Sequence, residues 1–355
     1  MNKKILDACI GNEYLSVIDA MGKIQDNAKG VLYIVDDEKR FVGSVTDGDI
    51  RRWIVKTGDV KGSVSQFLNR NAKFINDTDT EDAKAMLKHY KVRSLPVIDA
   101  DKRIVDIIFD DIYESCISYG KMLQDTPVII MAGGKGTRLY PYTKILPKPL
   151  IPIGDIPIIE RIMNQFNKFG VYHFYMVVNY RKEMIKAYFA ETSLPYNIDF
   201  ISEDEPLGTA GGIKLIGKKF STPIIITNCD ILIEADYEDI LELHKNSGNA
   251  MTIVSSLKNI SIPYGVLNIE ENGKVISMQE KPKLSTIINT GMYVLNPEYI
   301  DCIPDNELYH MTQLSQMLIG EGKRVGMYPI SEKSFLDMGE FEEMKKMEQR
   351  ISDKA

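Results

Sequence analysis

The chain has 355 residues, of which 44% are hydrophobic and 26% charged, with a formal net charge of −7 and a pI near 5.4. That length supplies cores for two or three domains, and the acidic balance argues against a nucleic-acid-binding protein, whose footprint would be basic. No apolar run approaches the ~20 residues of a membrane span, and the N-terminal segment lacks the apolar core of a signal peptide. We therefore expect a cytoplasmic protein with neither a membrane nor a nucleic acid as partner.

The cysteines and histidines carry no site pattern. The cysteines lie far apart without a C-x-x-C pair, which indicates neither a disulfide framework nor a zinc site, and we interpret the histidines as ordinary. These residues are Cys9, Cys116, Cys229 and Cys302, and His89, His173, His244 and His310.

The first third of the chain is an internal repeat. The segment L-Y-I-V-D-D-E-K-R-F-V at 32–42 returns as L-P-V-I-D-A-D-K-R-I-V at 95–105, 63 positions later. Each copy predicts a helix, a strand, a charged turn, a second strand and a second helix. One such unit cannot cover both faces of its own sheet, so we expect the copies, 1–62 and 63–122, to pack as a pair.

The end of the first copy, G-S-V-T-D-G-D-I-R-R at 43–52, resembles a CBS domain. In that family the Thr-Asp pair can hold the ribose and phosphate of an adenine nucleotide, which implies a regulatory site at Thr46, Asp47 and Asp49. The second copy has Phe109 and Asp110 there and has lost the threonine. Two interpretations remain: the pair binds a regulatory nucleotide, or it only packs and dimerises. We expect a homo-oligomer.

After a linker at 120–127, the stretch P-V-I-I-M-A-G-G-K-G-T-R-L-Y-P-Y-T-K-I-L-P-K-P at 127–149 predicts a buried strand that ends in a glycine-rich turn. Glycines let the backbone approach a ligand closely, and the N–H groups of such a loop converge on an anion. Together with three cations, this loop predicts a polyphosphate cradle. The glycines are Gly133, Gly134 and Gly136, and the cations are Lys135, Arg138 and Lys148.

The spacing excludes two familiar phosphate motifs, because neither G-x-x-x-x-G-K-[ST] nor G-x-G-x-x-G is present. The pattern G-G-x-G-T-R-L, followed ten residues after Arg138 by Lys-Pro, resembles the signature of the sugar-1-phosphate nucleotidyltransferases. The resemblance covers 123–355 and implies transfer of a nucleotidyl group to a sugar 1-phosphate with Mg²⁺ as cofactor. It implies substrate contacts from the glycines and Thr137, and catalytic roles for Arg138, Lys148 and Asp230.

Strands and helices alternate beyond the cradle. This pattern predicts an α/β fold, a doubly wound and mainly parallel sheet that follows the α/β CBS pair, with ligands at the carboxyl ends of the strands. The predicted strands are 128–131, 174–178, 198–202 and 223–227, and the predicted helices are 158–169, 182–188 and 211–216.

The stretch E-D-E-P-L-G-T-A-G-G at 203–212 matches the family's base and sugar loop, in which Gly208 leaves room for the nucleoside. A carboxylate only accepts hydrogen bonds, so Glu203 or Glu205 suits guanine, whose N1 and N2 are adjacent donors. Uracil or thymine would favour an amide. The alternative is a solvated acidic loop with the base contacted through the backbone.

Later motifs complete the site that the resemblance implies. Asp230 follows an apolar strand and Asp337 lies in F-L-D-M-G, and both are expected to bind Mg²⁺, which prefers one or two carboxylates plus phosphate oxygens and water. For a lone aspartate the alternative is a helix cap or a turn. The sugar and its phosphate are assigned to Glu280, Lys281, Asn289 and Gly291.

A CBS pair ahead of a short transferase with a guanine-compatible loop resembles the guanylyltransferases that make GDP-glucosamine for legionaminic acid. GTP and glucosamine 1-phosphate are therefore the favoured substrates. Alternatives are a mannose-1-phosphate guanylyltransferase or a glucose-1-phosphate thymidylyl- or uridylyltransferase. An alternative of another class is a nucleotide sensor with an inactive transferase domain, against which the intact Arg138, Lys148, Asp230 and Lys281 argue.

Overall fold

The computed structural model describes residues 3–27, 29–90, 92–110 and 123–352. The predicted second helix of the second repeat and the start of the predicted linker fall outside these residues, as does Cys116. The chain divides into two compact units. The first unit comprises Met1–Ser118 and Asn259–Ser285, and the second comprises Tyr119–Lys258 and Thr286–Ala355.

The repeat is visible in the first unit as two small sheets of the same design. In each, a parallel strand pair is followed by an antiparallel one. The helices and strands are α1 (Lys3–Ala8), β1 (Ile10–Asn12), α2 (Val17–Asn27), β2 (Val31–Val35), β3 (Phe41–Thr46), α3 (Asp47–Thr57), β4 (Ile75–Asn76), α4 (Ala83–Tyr90), β5 (Ser94–Ile98) and β6 (Ile104–Phe109). Strands β2 and β5 begin 63 positions apart, as do β3 and β6, which is the offset found in the sequence.

The two copies pack against each other. The Tyr33 hydroxyl lies 2.7 Å from Ser94 Oγ, and Phe41 N donates to Lys102 O at 2.7 Å. Buried Tyr33 also shares an apolar cluster with Cys9 and Ile107. The two copies are therefore in contact within this unit, and their assignment as a tandem CBS pair stays a prediction.

The second unit is built on a seven-stranded sheet with the order β11-β10-β7-β12-β17-β14-β18. Its strands and helices, with the short strands beside the sheet, are β7 (Val128–Ala132), β8 (Pro152–Ile153), β9 (Ile156–Pro157), α5 (Ile158–Asn167), β10 (His173–Val178), α6 (Lys182–Glu191), β11 (Asn197–Ser202), α7 (Gly208–Lys214), β12 (Ile224–Asn228), β13 (Ile231–Ile233), α8 (Tyr237–Asn246), β14 (Met251–Ser261), β17 (Lys283–Leu295), α9 (Met311–Gly320), β18 (Val325–Ile330), β19 (Phe335–Asp337) and α10 (Phe341–Ser352). The chain passes into the first unit between β14 and β17, where β15 (Val266–Ile269) and β16 (Val275–Gln279) form a hairpin.

Both faces of this sheet are covered, as its sequence requires. All five residues of β7 are buried, and their side chains alternate between two apolar clusters: Val128 and Ile130 belong to one, Ile129 and Met131 to the other. A strand that is apolar on both faces is typical of a parallel sheet covered by helices on each side. Among the described helices, none combines the length and apolar character needed to cross a membrane.

The sheet confirms the predicted fold class. Strand β7 pairs in parallel with β10 and β12, β10 pairs in parallel with β11, and β17 joins β12 antiparallel. The chain leaves β7 toward β10 and β11 and then returns to place β12 on the other side of β7. The crevice between β7 and β12 is thus a topological switch point, where open α/β sheets bind ligands. The predicted domain boundary at 122 and the boundary between copies at 62 stay predictions.

Candidate functional site

The glycine-rich turn leaves β7 at the switch point. Gly136 has a φ of +62°, and a Cβ on it would lie 3.0 Å from the Thr143 side chain and 3.1 Å from that of Lys148. Only glycine fits a left-handed position this crowded. Thr143 Oγ1 donates to Gly136 O at 2.8 Å and holds the turn closed. The backbone N–H groups and Thr137, at the start of a single 3₁₀ turn, thus keep a defined shape against the cavity.

Lys148 and Asp230 form an ion pair in this crevice. Lys148 is only 7% exposed, and its Nζ contacts Asp230 Oδ2. A buried ammonium requires a negative partner, because desolvation of an unpaired charge is costly. The Pro-Lys-Pro frame around Lys148 supplies the restricted backbone that aims it there. The sequence predicted a cation for phosphate at this position, and the structure shows that it also neutralises a predicted magnesium ligand.

Asp230 and Asp337 are brought together by two short strands. β13 and β19 pair antiparallel with Ile231 opposite Asp337, and Met338 N donates to Asp230 O at 2.8 Å. Burial raises the pKa of the Asp337 carboxyl, and the charge of Asp230 raises it further, against the opposing effect of Lys148 and Arg138. Neither aspartate caps a helix, but Asp230 does stand in the short turn between β12 and β13, as the turn alternative expected.

The donor set fits the Mg²⁺ that the family implies. Within the described residues, no group of three or more histidine, cysteine, aspartate or glutamate side chains could hold a metal ion. The adjacent Asp230 and Asp337 match an ion that takes one or two carboxylates and completes its shell with phosphate oxygens and water. Burial is the larger cause of the raised pKa of Asp337 and the charge of Asp230 is the next, and a bound cation would relieve the repulsion between the two carboxylates.

Glu203 is the buried carboxylate of the pocket. It follows β11, is 3% exposed, and its Oε2 lies 2.7 Å from where a Cβ on Gly133 would be. Its Oε1 has no hydrogen-bond partner among the described residues. Burial raises the pKa of Glu203 to about 7, although the Leu207 N–H donates a hydrogen bond that favours the charged form. Glu205 is exposed, so the alternative of a solvated loop describes Glu205 and not Glu203.

The loop at Gly208 is clamped by a distant segment. Gly208 has a φ of +80°, and a Cβ on it would lie 2.6 Å from Tyr309 O and 3.0 Å from His310 Nδ1. Tyr309 O accepts from the amides of Ala210 and Gly211, and Tyr309 N donates to Leu207 O at 2.9 Å. The start of α7 therefore has its shape set by residues about one hundred positions further along the chain.

Most of these groups surround one cavity of about 410 Å³ in the second unit, which is within the range of small-molecule sites, whereas Asp337 is not among its lining residues. Its lining includes predicted residues from the glycine turn, the base loop and the end of β12. The lining residues are Met131, Gly133, Gly134, Gly136, Thr137, Arg138, Lys148, Glu203, Pro206, Gly208, Thr209, Asn228, Cys229, Asp230, Leu308 and His310.

Sequence reasoning missed part of this wall. His310, interpreted as ordinary, lines the cavity together with Leu308, Thr209 and Asn228. Thr209 belongs to the predicted base loop at 203–212, whereas Leu308 and His310 carry no local motif. Asn228 was visible as the polar end of a buried strand, whereas His310 gave no sequence signal, because its place depends on contacts with the Gly208 loop.

The predicted sugar residues divide between the units. Gly291, with a φ of +91°, packs against the Asn228 side chain, and its N–H donates to Asn289 Oδ1 at 2.9 Å. Asn289 also donates to the Tyr293 hydroxyl and does not line the cavity. Glu280 and Lys281 belong to the first unit, where both are exposed. Their part in the site stays a prediction.

In the first unit, the predicted nucleotide residues have a local structural role. Thr46 is the N-cap of α3: its Oγ1 accepts from Asp49 N at 3.2 Å, and Asp49 Oδ2 accepts from Thr46 N at 2.9 Å. Asp49 also pairs with Arg52 at 2.6 Å, and Asp47 pairs with Arg51. This capping box satisfies backbone donors at the start of the helix.

The fold and the cradle agree with two family models. Residues 127–354 match the family described as Nucleotidyl transferase, and residues 12–56 match the CBS domain. The chain belongs to the nucleotidyl transferase family and carries a CBS domain ahead of the transferase part.

Individual relatives point the same way. The mannose-1-phosphate guanyltransferase of Debaryomyces hansenii is 38% identical over 186 residues, covering 49% of this chain and 51% of that protein. The UTP–glucose-1-phosphate uridylyltransferase of Synechocystis is 33% identical over 202 residues, 52% of each chain. Among solved structures, HddC from Yersinia pseudotuberculosis has a TM-score of 0.50 and 28% identity, covering 64% of this chain and 99% of that one. The chain spans about half the length of the curated relatives it matches.

Proposed function

We propose that this chain is a sugar-1-phosphate guanylyltransferase that converts GTP and a sugar 1-phosphate, with glucosamine 1-phosphate favoured, into a GDP-sugar and pyrophosphate. The observation that carries the proposal is the glycine turn at the switch point, with Arg138, Lys148 and Asp230 gathered around one cavity. The nucleobase assignment rests on the buried Glu203 carboxylate in the same cavity.

The reaction joins two anions. A phosphate oxygen of the sugar 1-phosphate attacks the α-phosphorus of the nucleotide, the new P–O bond forms, and the bond to the β-phosphate oxygen breaks to release pyrophosphate. The nucleophile is already charged, so no general base is required. The work of the site is to place the reactants in line and to offset the charge on their phosphate oxygens.

The chain's own cations and amides do this work. The N–H groups of the glycine turn and the guanidinium of Arg138, all in the cavity lining, would hold the leaving pyrophosphate. Lys148 is held in place by Asp230 and offers its charge to the phosphates. Asp230 and Asp337 would hold Mg²⁺, which when bound offsets phosphate charge and orients the nucleotide.

Guanine fits the Glu203 end of the cavity. Its N1–H and N2–H₂ are adjacent donors that suit the acceptor-only carboxylate of Glu203, which is part of the cavity lining. A site built for such hydrogen bonds discriminates strongly against bases that leave its polar groups unpaired. The guanyltransferase name of the Debaryomyces hansenii relative supports the same base.

The identity of the sugar 1-phosphate is the most specific part of the proposal. Glucosamine 1-phosphate is favoured because the order of CBS and transferase parts resembles that of the legionaminic acid guanylyltransferases. The Debaryomyces hansenii relative supports mannose 1-phosphate as the second candidate, and the Synechocystis relative supports glucose 1-phosphate with UTP.

For the first unit we propose an adenine nucleotide as regulatory ligand at Thr46, Asp47 and Asp49. The match of 12–56 to the CBS domain supports this assignment. Binding would have to open the capping box and the Asp47–Arg51 pair, which supplies two states whose balance a nucleotide can shift. We further propose a cytoplasmic homo-oligomer, on the same resemblance.

The proposed catalysis is tested by Arg138→Ala. We expect pyrophosphate release to fall by orders of magnitude with an unchanged thermal transition, because Arg138 is exposed and lies on the cavity wall. Lys168→Ala, which removes an exposed cation beyond α5, is the matched control and should keep full activity. Equal activity of the two variants would refute the role of Arg138.

A further inference from the structure

His310 stands at the junction of the base loop and α9. Its Nδ1 and Cε1 would lie 3.0 and 3.1 Å from a Cβ on Gly208, so the ring packs directly on the loop that faces the nucleotide. The side chain is exposed and lines the same cavity as Glu203 and Thr209. No role in the reaction proposed above uses it.

The hydrogen bonds of the ring determine which nitrogen faces a ligand. Thr209 N donates to His310 Nδ1 at 3.4 Å, so Nδ1 carries a lone pair and the proton of the neutral imidazole is on Nε2. The backbone around it is fixed as well, since His310 N donates to Gln313 Oε1 at 2.8 Å and Met311 N to Thr209 Oγ1 at 3.0 Å. No described residue accepts a hydrogen bond from Nε2. The neutral ring thus carries one N–H donor, at Nε2, on a residue of the cavity lining.

The chemistry of guanine calls for such a donor. When Glu203 accepts from N1–H and N2–H₂, the neighbouring O6 remains as an acceptor and loses its water when the base enters the cavity. An acceptor buried without a partner costs binding free energy. Among the other side-chain donors of the cavity lining, Arg138, Lys148 and Thr137 lie at the phosphate turn, and Asn228 packs on Gly291. The Thr209 hydroxyl oxygen is held by the Met311 amide.

We propose that His310 is a specificity-determining residue whose Nε2–H donates to the O6 carbonyl of the guanine base. This inference rests on the proposed guanylyl transfer. Glu203 and His310 together then match the acceptor–donor–donor edge of guanine, which neither adenine nor a pyrimidine presents.

Two conservative variants separate this role from a structural one. In His310→Gln the amide nitrogen takes the place of Nε2 and keeps a donor for the base. In His310→Asn the amide oxygen takes the place of Nδ1 and keeps the bond to Thr209 N. We expect kcat/KM for GTP to stay within about threefold in His310→Gln and to fall about tenfold in His310→Asn, the loss of one hydrogen bond. A larger loss of kcat/KM for GTP in His310→Gln than in His310→Asn, or an equal loss in both variants, overturns the proposal.

Base analogues identify the atom. ITP lacks the N2 amine and keeps O6, whereas 2-aminopurine riboside triphosphate keeps the amine and lacks O6. The fall in kcat/KM caused by His310→Asn should be as large with ITP as with GTP and absent with the 2-aminopurine nucleotide. If His310→Asn lowers kcat/KM equally with the 2-aminopurine nucleotide, only the assignment of O6 as the acceptor is overturned. Absence of GTP turnover by the unaltered protein overturns the proposed function, and this inference with it.

Discussion

The main-chain amide of Met338 donates to the carbonyl oxygen of Asp230 at 2.8 Å, and this bond sets two carboxylates side by side. Asp337, one residue before Met338, pairs with Ile231, one residue after Asp230. Strands from the middle and the end of the second unit therefore build one charged site next to the glycine turn.

This arrangement predicts different costs for activity and for stability. Asp230→Asn and Asp337→Asn should each lower pyrophosphate release by orders of magnitude, because a carboxylate for the cation is lost. Asp337→Asn should not lower the melting temperature at pH 7, because it removes a partly buried negative charge that Asp230 repels. Thermal unfolding and pyrophosphate release on the same samples check both. Activity close to that of the unaltered protein in either variant would contradict the assignment.

Gly208→Ala should impair nucleotide binding more than its backbone strain explains. The Cβ would lie 2.6 Å from Tyr309 O, a backbone atom that accepts hydrogen bonds from the amides of Ala210 and Gly211. Gly248→Ala is the matched control, since Gly248 also has a positive φ (+62°) but nothing within 4 Å of its Cβ. Both substitutions should cost about 1 kcal/mol through strain at positive φ, and only Gly208→Ala should raise the KM for GTP. A similar KM in both variants would show that the loop does not face the nucleotide.

The pH dependence of the reaction should follow Glu203. Its pKa of about 7 lies above the ordinary value of 4.5, so the carboxyl is protonated below pH 7 and charged above it. Guanine needs the charged, acceptor-only form, so kcat/KM for GTP should rise with pH through about 7. The neutral form offers one donor and one acceptor, as an amide does, and so suits uracil or thymine. The preference for GTP over UTP should therefore grow from pH 6 to pH 8.5.

Glu203→Gln is the control for this experiment. It keeps the ionisation of the substrates and of the charged neighbours Lys182 and Asp204, and it removes only the titrating carboxyl. In Glu203→Gln, the ratio of kcat/KM for GTP to kcat/KM for UTP should no longer rise with pH. The ratio should also be lower than in the unaltered protein. If the rise survives in Glu203→Gln and vanishes in Glu205→Gln, the base is read by Glu205.

Thr46→Ala tests the first unit. Loss of the N-cap should cost about 1 kcal/mol of stability, and the rise in melting temperature caused by AMP or ATP should be lost. Ser63→Ala removes another N-cap of the same unit, one that also has a capping box, and should keep the nucleotide-dependent rise. No stabilisation of the unaltered protein by adenine nucleotides would favour the interpretation that the pair only packs and dimerises.

Much of the fold followed from local pattern, and the exceptions have long-range causes. The strand predicted at 128–131 is Val128–Ala132, because a five-residue apolar run before glycines leaves little choice. The helix predicted at 211–216 begins at Gly208 instead, because Tyr309 O accepts the amides of Ala210 and Gly211. No sequence window contains that contact.

The candidate site also divides into residues that local motifs predict and residues that long-range contacts bring into place. The glycine turn and the aspartates after strands were visible because their chemistry is local to each motif. The pairing of Lys148 with Asp230 and the place of His310 on the cavity wall were not, since each joins segments that are far apart in the chain. Burial also decided between Glu203 and Glu205, which are two residues apart in one acidic loop.

The most direct test of the account is a pyrophosphate-release assay with Mg²⁺ and purified protein. GTP, UTP, dTTP, CTP and ATP are each paired with glucosamine 1-phosphate, mannose 1-phosphate and glucose 1-phosphate, and kcat/KM is compared at pH 8, where Glu203 is charged. We predict turnover with GTP above all other nucleotides and with glucosamine 1-phosphate above the other sugars. A preference for UTP or dTTP would contradict the role of Glu203, and no release with any pair would contradict the transferase itself.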